Sequence, residues 1–277
     1  MEQVNQASAQ QSERQKAELL IVKIGGNVIN DEKGLATFLK DFAGIGGRKM
    51  LVHGGGRKAT EIGEKLGIVS RYVDGRRITD AETIDLVTMV YGGLLNKQIV
   101  AKLQALQCNA LGLSGADANS IPAEKRPVGA TDYGFVGDVS PGFPVTFIRG
   151  CLEEALVPVF APLTHDGKGQ LLNTNADTIA SVLAVALARF YKVRLMYCFE
   201  KKGVLKDVED EDAVVPYIDQ TIYQQMLADK LLTEGILPKL HNAFEAIDQG
   251  VDSVLIGHAA DVVHNAGTAV SGTLIRK

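Results

Sequence analysis

The sequence predicts an α/β fold, a parallel sheet covered by helices, and three observations predict it. The run Leu19-Leu20-Ile21-Val22-Lys23-Ile24 is apolar at five of six positions without polar alternation, the pattern of a strand buried on both faces. The glycine turn Gly25-Gly26 and a helix-patterned segment follow it. The same order then recurs, with the strand Lys49 to His53, the turn Gly54-Gly55-Gly56 and a helix over Arg57 to Leu66. Strand, glycine turn and helix in succession indicate βαβ units.

The remaining elements fit that scheme. Asp31 to Ala43 is helical, with Leu35, Phe38, Leu39 and Phe42 on one face and the glycines at 44, 46 and 47 ending it. Thr79-Asp80-Ala81-Glu82 reads as a capping box with Thr79 as N-cap, opening a helix to Leu106 that bends at Gly92-Gly93. Ala110 to Leu113 is a short strand, and Ile121 to Arg149, rich in turn residues, reads as an antiparallel excursion beside the substrate site. Leu156 to Leu163 is another strand, and a helix of small and apolar residues runs from Asn175 to Phe190. Val193 to Phe199 is a strand, Gly203 to Asp212 a solvent-exposed acidic loop, and Ile218 to Leu232 a helix. Pro238 suits the first position of a further helix, and Val251 to Gly257 and Thr273 to Ile275 are the last strands. Met1 to Ala17 is a polar tail expected to be flexible.

Composition bounds the function. With 277 residues, 46% of them hydrophobic, the chain can form a large core as one broad domain or two lobes. A net charge of −4 and a pI near 5.8 argue against a general nucleic-acid binder. Cys108, Cys151 and Cys198 form no C-x-x-C pair, which suits packing in a reducing compartment and no structural zinc. The first eighteen residues have no apolar signal core, and the longest apolar run, Ile179 to Ala188, is far short of the roughly 20 residues of a membrane span. A cytoplasmic protein is expected.

Four places carry unusual chemistry. Lys23 puts an ammonium on a buried strand, where an unpaired charge is costly, so either an anion meets it or it snorkels to water. His53-Gly54-Gly55-Gly56-Arg57 feeds a helix N-terminus whose free N–H groups suit an anion, yet it has neither the Walker A spacing nor the dinucleotide fingerprint. In Asn173-x-Asn175-x-Asp177, Asn175 is an N-cap candidate, Asp177 favours the helix dipole unaided, and Asn173 lies outside the cap and needs another partner. Lys239, at a helix start, opposes the dipole unless it faces an anion. Two lysines, two glycine turns, an acid and an amide, without an activated serine or cysteine and without a metal-ligand pattern among the five histidines, fit phosphoryl transfer. A carboxylate acceptor, already ionised at neutral pH, needs no general base, and none is evident.

From Leu19 to the C-terminus the sequence resembles the amino-acid kinase family. The resemblance rests on VKIGGN (Val22 to Asn27), VHGGGRK (Val52 to Lys58), DGRRIT (Asp74 to Thr79), GLSGAD (Gly112 to Asp117), GFVGDV (Gly134 to Val139), NTNAD (Asn173 to Asp177), GVL (Gly203 to Leu205) and GILPKL (Gly235 to Leu240), occurring in this order. It implies a three-layer αβα sandwich with an open, mainly parallel central sheet. A lobe over 18–170 would bind an acylated glutamate and one over 171–277 would bind ATP. The implied reaction moves the γ-phosphoryl group to the side-chain carboxylate of N-acetylglutamate, a step of arginine biosynthesis.

Carried over by position, Lys23 and Lys239 stabilise the transition state and Asp177 orients them. Gly55, Gly56, Arg77 and Asn173 hold the substrate, Arg77 through its α-carboxylate. Gly25, Gly26, Glu200, Gly203 and Leu205 line the nucleotide. Mg²⁺ accompanies ATP through phosphate and water rather than protein ligands. Two departures stand out: Glu200-Lys201 replaces the family's usual Asp-Val pair, and the N-terminal tail is polar where arginine-inhibited hexameric members carry a hydrophobic helix. A homodimer without arginine feedback is expected. Alternatives within the fold are a larger acyl group such as succinyl, accommodated by loops around Gly115 and Pro127, and glutamate 5-kinase; outside catalysis, the alternative is a nucleotide sensor.

Overall fold

The structure, a computed structural model, describes residues 16–139, 142–207, 210, 212–229, 236–267 and 270–277. The tail to residue 15 and Gly235 of the GILPKL segment lie outside the described residues. The strands, in chain order, are β1 (Glu18–Ile24), β2 (Arg48–His53), β3 (Arg71–Val73), β4 (Arg76–Ile78), β5 (Ala110–Leu113), β6 (Glu124–Lys125), β7 (Gly137–Asp138), β8 (Val157–Phe160), β9 (Leu163–His165), β10 (Leu171–Asn173), β11 (Lys192–Phe199), β12 (Tyr217–Ile218), β13 (Ser253–His258) and β14 (Thr273–Ile275). Eight of them form the central sheet in the order β12-β14-β13-β11-β1-β2-β8-β5. Each neighbouring pair is parallel except β13–β14.

β1 lies inside the sheet between β11 and β2, which is why its run is apolar throughout. Its side chains alternate between two cores. Leu19 and Ile21 join a cluster with the helices Ala176–Leu187 and Leu237–Asp248, whereas Leu20, Val22 and Ile24 join one with Glu32–Gly44 and the helical stretch from Ala81. Helices on both faces make the three-layer sandwich. By the same alternation Lys23 falls on the face covered by Ala176–Leu187. Among the described residues no helix is long and apolar enough to cross a membrane, and all three cysteines are buried thiols.

The structure departs from the sequence reading at five points. Asp80, not Thr79, caps the helix Ala81–Val87, its carboxylate accepting from Thr83 N at 3.0 Å. Thr79 is held instead by backbone bonds with Tyr133 and Phe135. The predicted bend at Gly92-Gly93 is a π-helical segment, Thr88–Leu95, between Ala81–Val87 and Asn96–Ala105. The strand read over Leu156 to Leu163 ends at Phe160, and Leu163 begins β9, which pairs with β10 in a separate hairpin. The excursion is antiparallel at β6–β7 but already helical from Thr146 to Glu153. The predicted exposed loop begins with Gly203 and Val204 buried, because a side chain at Gly203 would lie 2.6 Å from Thr273 Oγ1.

A second buried lysine shows what a structural ammonium looks like here. Lys49 donates to the carbonyls of Phe42 and Ala43 at 2.8 Å each and to that of Ile45, closing the C-terminus of Glu32–Gly44. Burial pushes its pKa below the ordinary lysine value. Replacing Lys49 by Met strands buried carbonyls, and urea denaturation should report about 1–3 kcal/mol lower unfolding free energy.

Candidate active site

The carboxyl ends of β1, β2 and β11 form the crevice in which open α/β sheets bind ligands. Lys23 stands near the end of β1, 7% exposed, with its Nζ 2.7 Å from Asp177 Oδ1. Unlike Lys49, it meets no ring of carbonyls among the described residues. Asp177 is aimed by its helix: Asn175 caps Ala176–Leu187, its Oδ1 accepting from Asp177 N at 2.7 Å and Thr178 N at 3.3 Å. Asn175 is thus a cap, and the neighbouring acid faces a buried cation.

Lys239, in the first turn of Leu237–Asp248, brings its Nζ to 3.9 Å from the centre of the Phe199 ring. Lys23 Nζ lies 5.2 Å from the same ring. The two ammonium groups, far apart in sequence, therefore converge on one aromatic side chain. Burial is the main cause that lowers the Lys239 pKa; Asp177 and Glu200 pull it up, and Lys23 pushes it down.

The two glycine turns abut. Gly54 N donates to Ile24 O at 3.1 Å, and a Cβ on Gly54 would sit 3.7 Å from Gly26 N. A Cβ on Gly25 would lie 3.8 Å from Lys23 Nζ, so the first turn passes beside the buried ammonium. Gly55 has φ +158°, and any side chain there would strike Leu95 Cδ1 at 2.6 Å and Tyr91 Cδ1 at 2.8 Å. His53 is fully buried, its Nδ1 2.7 Å from Gly54 O, and burial pushes its pKa down to about 4.

A cavity of about 420 Å³ opens against these turns, lined by Gly54 to Gly56, Arg77, Asn173, Asp177 and Lys239. Arg77 is 6% exposed; Nη2 donates to Gly56 O at 2.7 Å and Thr60 Oγ1 at 2.9 Å, Nη1 to Ser70, and the guanidinium stacks on Tyr72. Among the described residues no carboxylate pairs with it. Asn173 donates to Thr79 Oγ1 at 3.0 Å from the same wall.

The structure brings Lys23, Lys239, Asp177, Gly55, Gly56, Arg77 and Asn173 to one centre, with Gly25 beside Lys23 and Gly26 beside Gly54. Glu200 accepts from Asn27 Nδ2, just past the first turn, and acts on Lys239 through its charge. Gly203 and Leu205 stand apart from the cavity: Gly203 packs on Thr273 and Leu205 bridges to Val214. Sequence reasoning missed Phe199, Tyr91, and the Arg126–Asp138 ion pair in the cavity wall. Asp138 stands inside the GFVGDV segment, Gly134 to Val139, and nothing in the spacing of the other three marks them.

The amino acid kinase family profile matches residues 18–258. The chain belongs to this family. A relative from Cytophaga hutchinsonii, named acetylglutamate kinase, is 55% identical over 246 residues, 88% of this chain and 93% of its own. One of the same name from Bacteroides thetaiotaomicron is 53% identical over 255 residues, 92% of this chain and 99% of its own. Among solved structures, N-acetylglutamate synthase from Neisseria gonorrhoeae, complexed with coenzyme A and N-acetylglutamate, superposes with a TM-score of 0.79 at 19% identity over 98% of this chain and 62% of that one. That likeness is one of fold, and it matches the sandwich described above.

Lys239 should titrate below the ordinary lysine range, as NMR of labelled lysines can follow. Asp177→Asn removes a carboxylate that holds the ammonium charged while burial and Lys23 remain, so the Lys239 pKa should fall further. An upward shift would contradict this account of the pair.

Proposed function

We propose that this protein transfers the γ-phosphoryl group of ATP to the side-chain carboxylate of N-acetyl-L-glutamate, yielding N-acetylglutamyl 5-phosphate and ADP in arginine biosynthesis. The observation that carries the reading is the meeting of Lys23 and Lys239 over Phe199 beside Asp177, at the edge of a cavity that also holds Arg77, which pairs with no carboxylate among the described residues. The curated relatives named acetylglutamate kinase support the choice of substrate.

In this mechanism a carboxylate oxygen of the substrate forms a bond to the γ-phosphorus as the bond to ADP breaks. Charge spreads over the transferring oxygens, and fixed positive groups stabilise it. Lys23 and Lys239 supply two such groups, and Asp177 keeps the Lys23 ammonium near the end of β1. Backbone N–H groups of Gly26, Gly55 and Gly56 face the phosphoryl and carboxylate oxygens, with Gly25 giving the backbone room. Arg77 receives the α-carboxylate, an anion that its burial calls for. Asn173 holds the amide region. Glu200, Gly203 and Leu205 border the nucleotide; Gly203 would do so through backbone, since its packing leaves no space for a side chain.

Mg²⁺ bound with ATP would supply positive charge against its phosphates. Asp177 is already engaged by Lys23 and Asp138 by Arg126, so the ion would be held by phosphate and water more than by protein. Residues 18–170 serve as the acylglutamate lobe and 171–277 as the ATP lobe. We read the enzyme as a cytoplasmic homodimer, in keeping with its acidic pI and buried free thiols.

Incubation with Mg-ATP and N-acetylglutamate, with hydroxylamine present, should trap an acyl hydroxamate, while free glutamate gives none. Activity confined to free glutamate would reject the reading. Lys239→Ala should lower kcat by roughly 100-fold, the scale of one preorganised charge contact; near-normal turnover would remove Lys239 from the mechanism.

A further inference from the structure

The π-helical segment Thr88–Leu95 sits beneath the tri-glycine turn. π turns are rare and concentrate at functional sites. In an α-helix, residues five apart diverge by about 140° around the axis. The i→i+5 spacing of a π turn returns them to one side. Tyr91 and Asn96 are five apart, and both face the turn. Asn96 Nδ2 donates to Val159 O at 2.9 Å and lies 3.2 Å from His53 Nε2, while His53 Nδ1 meets Gly54 O. The Tyr91 ring packs where a Gly55 side chain would be.

The ring packing leaves the hydroxyl of Tyr91 with a separate task. Tyr91 is 4% exposed and lines the cavity. Its Oη lies 4.0 Å from the point a Gly56 Cβ would occupy, and Arg77 Nη2 lies 4.0 Å from the same point. A phenol and a guanidinium thus converge on one spot of the cavity wall, and among the described residues no carboxylate pairs with the guanidinium.

We propose that Tyr91 is a further substrate-binding residue, its phenolic O–H donating to the carboxylate that Arg77 holds. The proposal rests on the reading of the cavity as the acylglutamate site. It makes the anion contact a two-donor clamp, one donor charged and one neutral, and assigns the π turn its purpose: it delivers the phenol to the cavity while keeping Asn96 on His53. Burial raises the Tyr91 pKa, so the hydroxyl stays a donor across the working range.

The test is Tyr91→Phe in the full chain, which keeps the ring and removes one oxygen. Calorimetric titration with N-acetylglutamate should show Kd raised roughly tenfold, the scale of a hydrogen bond to a charged group. The KM for ATP and the thermal midpoint should stay at their wild-type values, and the loss should be constant between about pH 6.5 and 8.5, as expected of a group that does not titrate there. Wild-type affinity in the variant would overturn the Tyr91 assignment alone, as would an equal loss for ATP or a lowered midpoint, since those mark a packing role. Absence of N-acetylglutamate binding in the wild type would overturn the substrate reading and this proposal with it.

Discussion

A lysine on a strand enclosed by helices has to be compensated, and the compensation of Lys23 organises the molecule. Its partner is one carboxylate, Asp177, at 2.7 Å. A second ammonium, Lys239, crowds the same space and shares the Phe199 ring. Asp177 and the exposed Glu200 both act on this pair, yet packing two cations into one buried space is costly. The depressed pKa of Lys239 expresses that cost, with burial as its leading cause and Lys23 adding to it. A visiting anion relieves it. Lys49, equally buried, is surrounded by helix-end carbonyls and needs no visitor. The contrast separates a structural lysine from a functional one without appeal to position in a motif.

The same reasoning reads the cavity wall. Arg126 also faces the cavity, but Asp138 accepts from its Nε, one N–H shared between the two carboxylate oxygens at 3.1 and 3.0 Å, and from its Nη2, so that charge is met within the protein. Arg77 is more deeply buried and finds a carbonyl, two hydroxyls and an aromatic face, with the Tyr91 phenol close by and, among the described residues, no carboxylate. Its hydrogen bonds fix the guanidinium plane while its charge stays uncompensated. Such a group is preorganised for a carboxylate. At about 420 Å³ the cavity has the size of a small-molecule site.

Much of this was legible in the sequence because it followed from one-dimensional patterns. Largely apolar runs without polar alternation located β1, β2 and β11, and the repeated glycine turns after β1 and β2 indicated a parallel sheet. Lys23 and Lys239 were conspicuous as charges where propensity disfavours them. What escaped depended on choices between neighbours or on distant packing. Thr79 and Asp80 are both good caps, and only the pairing of Thr79 with Tyr133 and Phe135 decides for Asp80. Gly92-Gly93 announced an irregular helix but not a π turn, because the register depends on what Tyr91, Leu95 and Asn96 meet. Gly203 is buried by Thr273, seventy positions later in the chain.

The character of the acceptor follows from the groups that surround the cavity. An alcohol acceptor would need a base near neutral pKa within hydrogen-bond reach. His53 is the nearest imidazole to the glycine turns, yet its pKa of about 4 and its contacts with Gly54 O and Asn96 leave it neutral and engaged. Asp177 is committed to Lys23 and Asp138 to Arg126. Each candidate base facing the cavity among the described residues is therefore bound up in a fixed contact. A carboxylate brings its own negative charge and requires no proton removal, so positioning and charge suffice. The same two requirements explain why the site is built from cations, backbone amides and rigid contacts instead of a titrating pair.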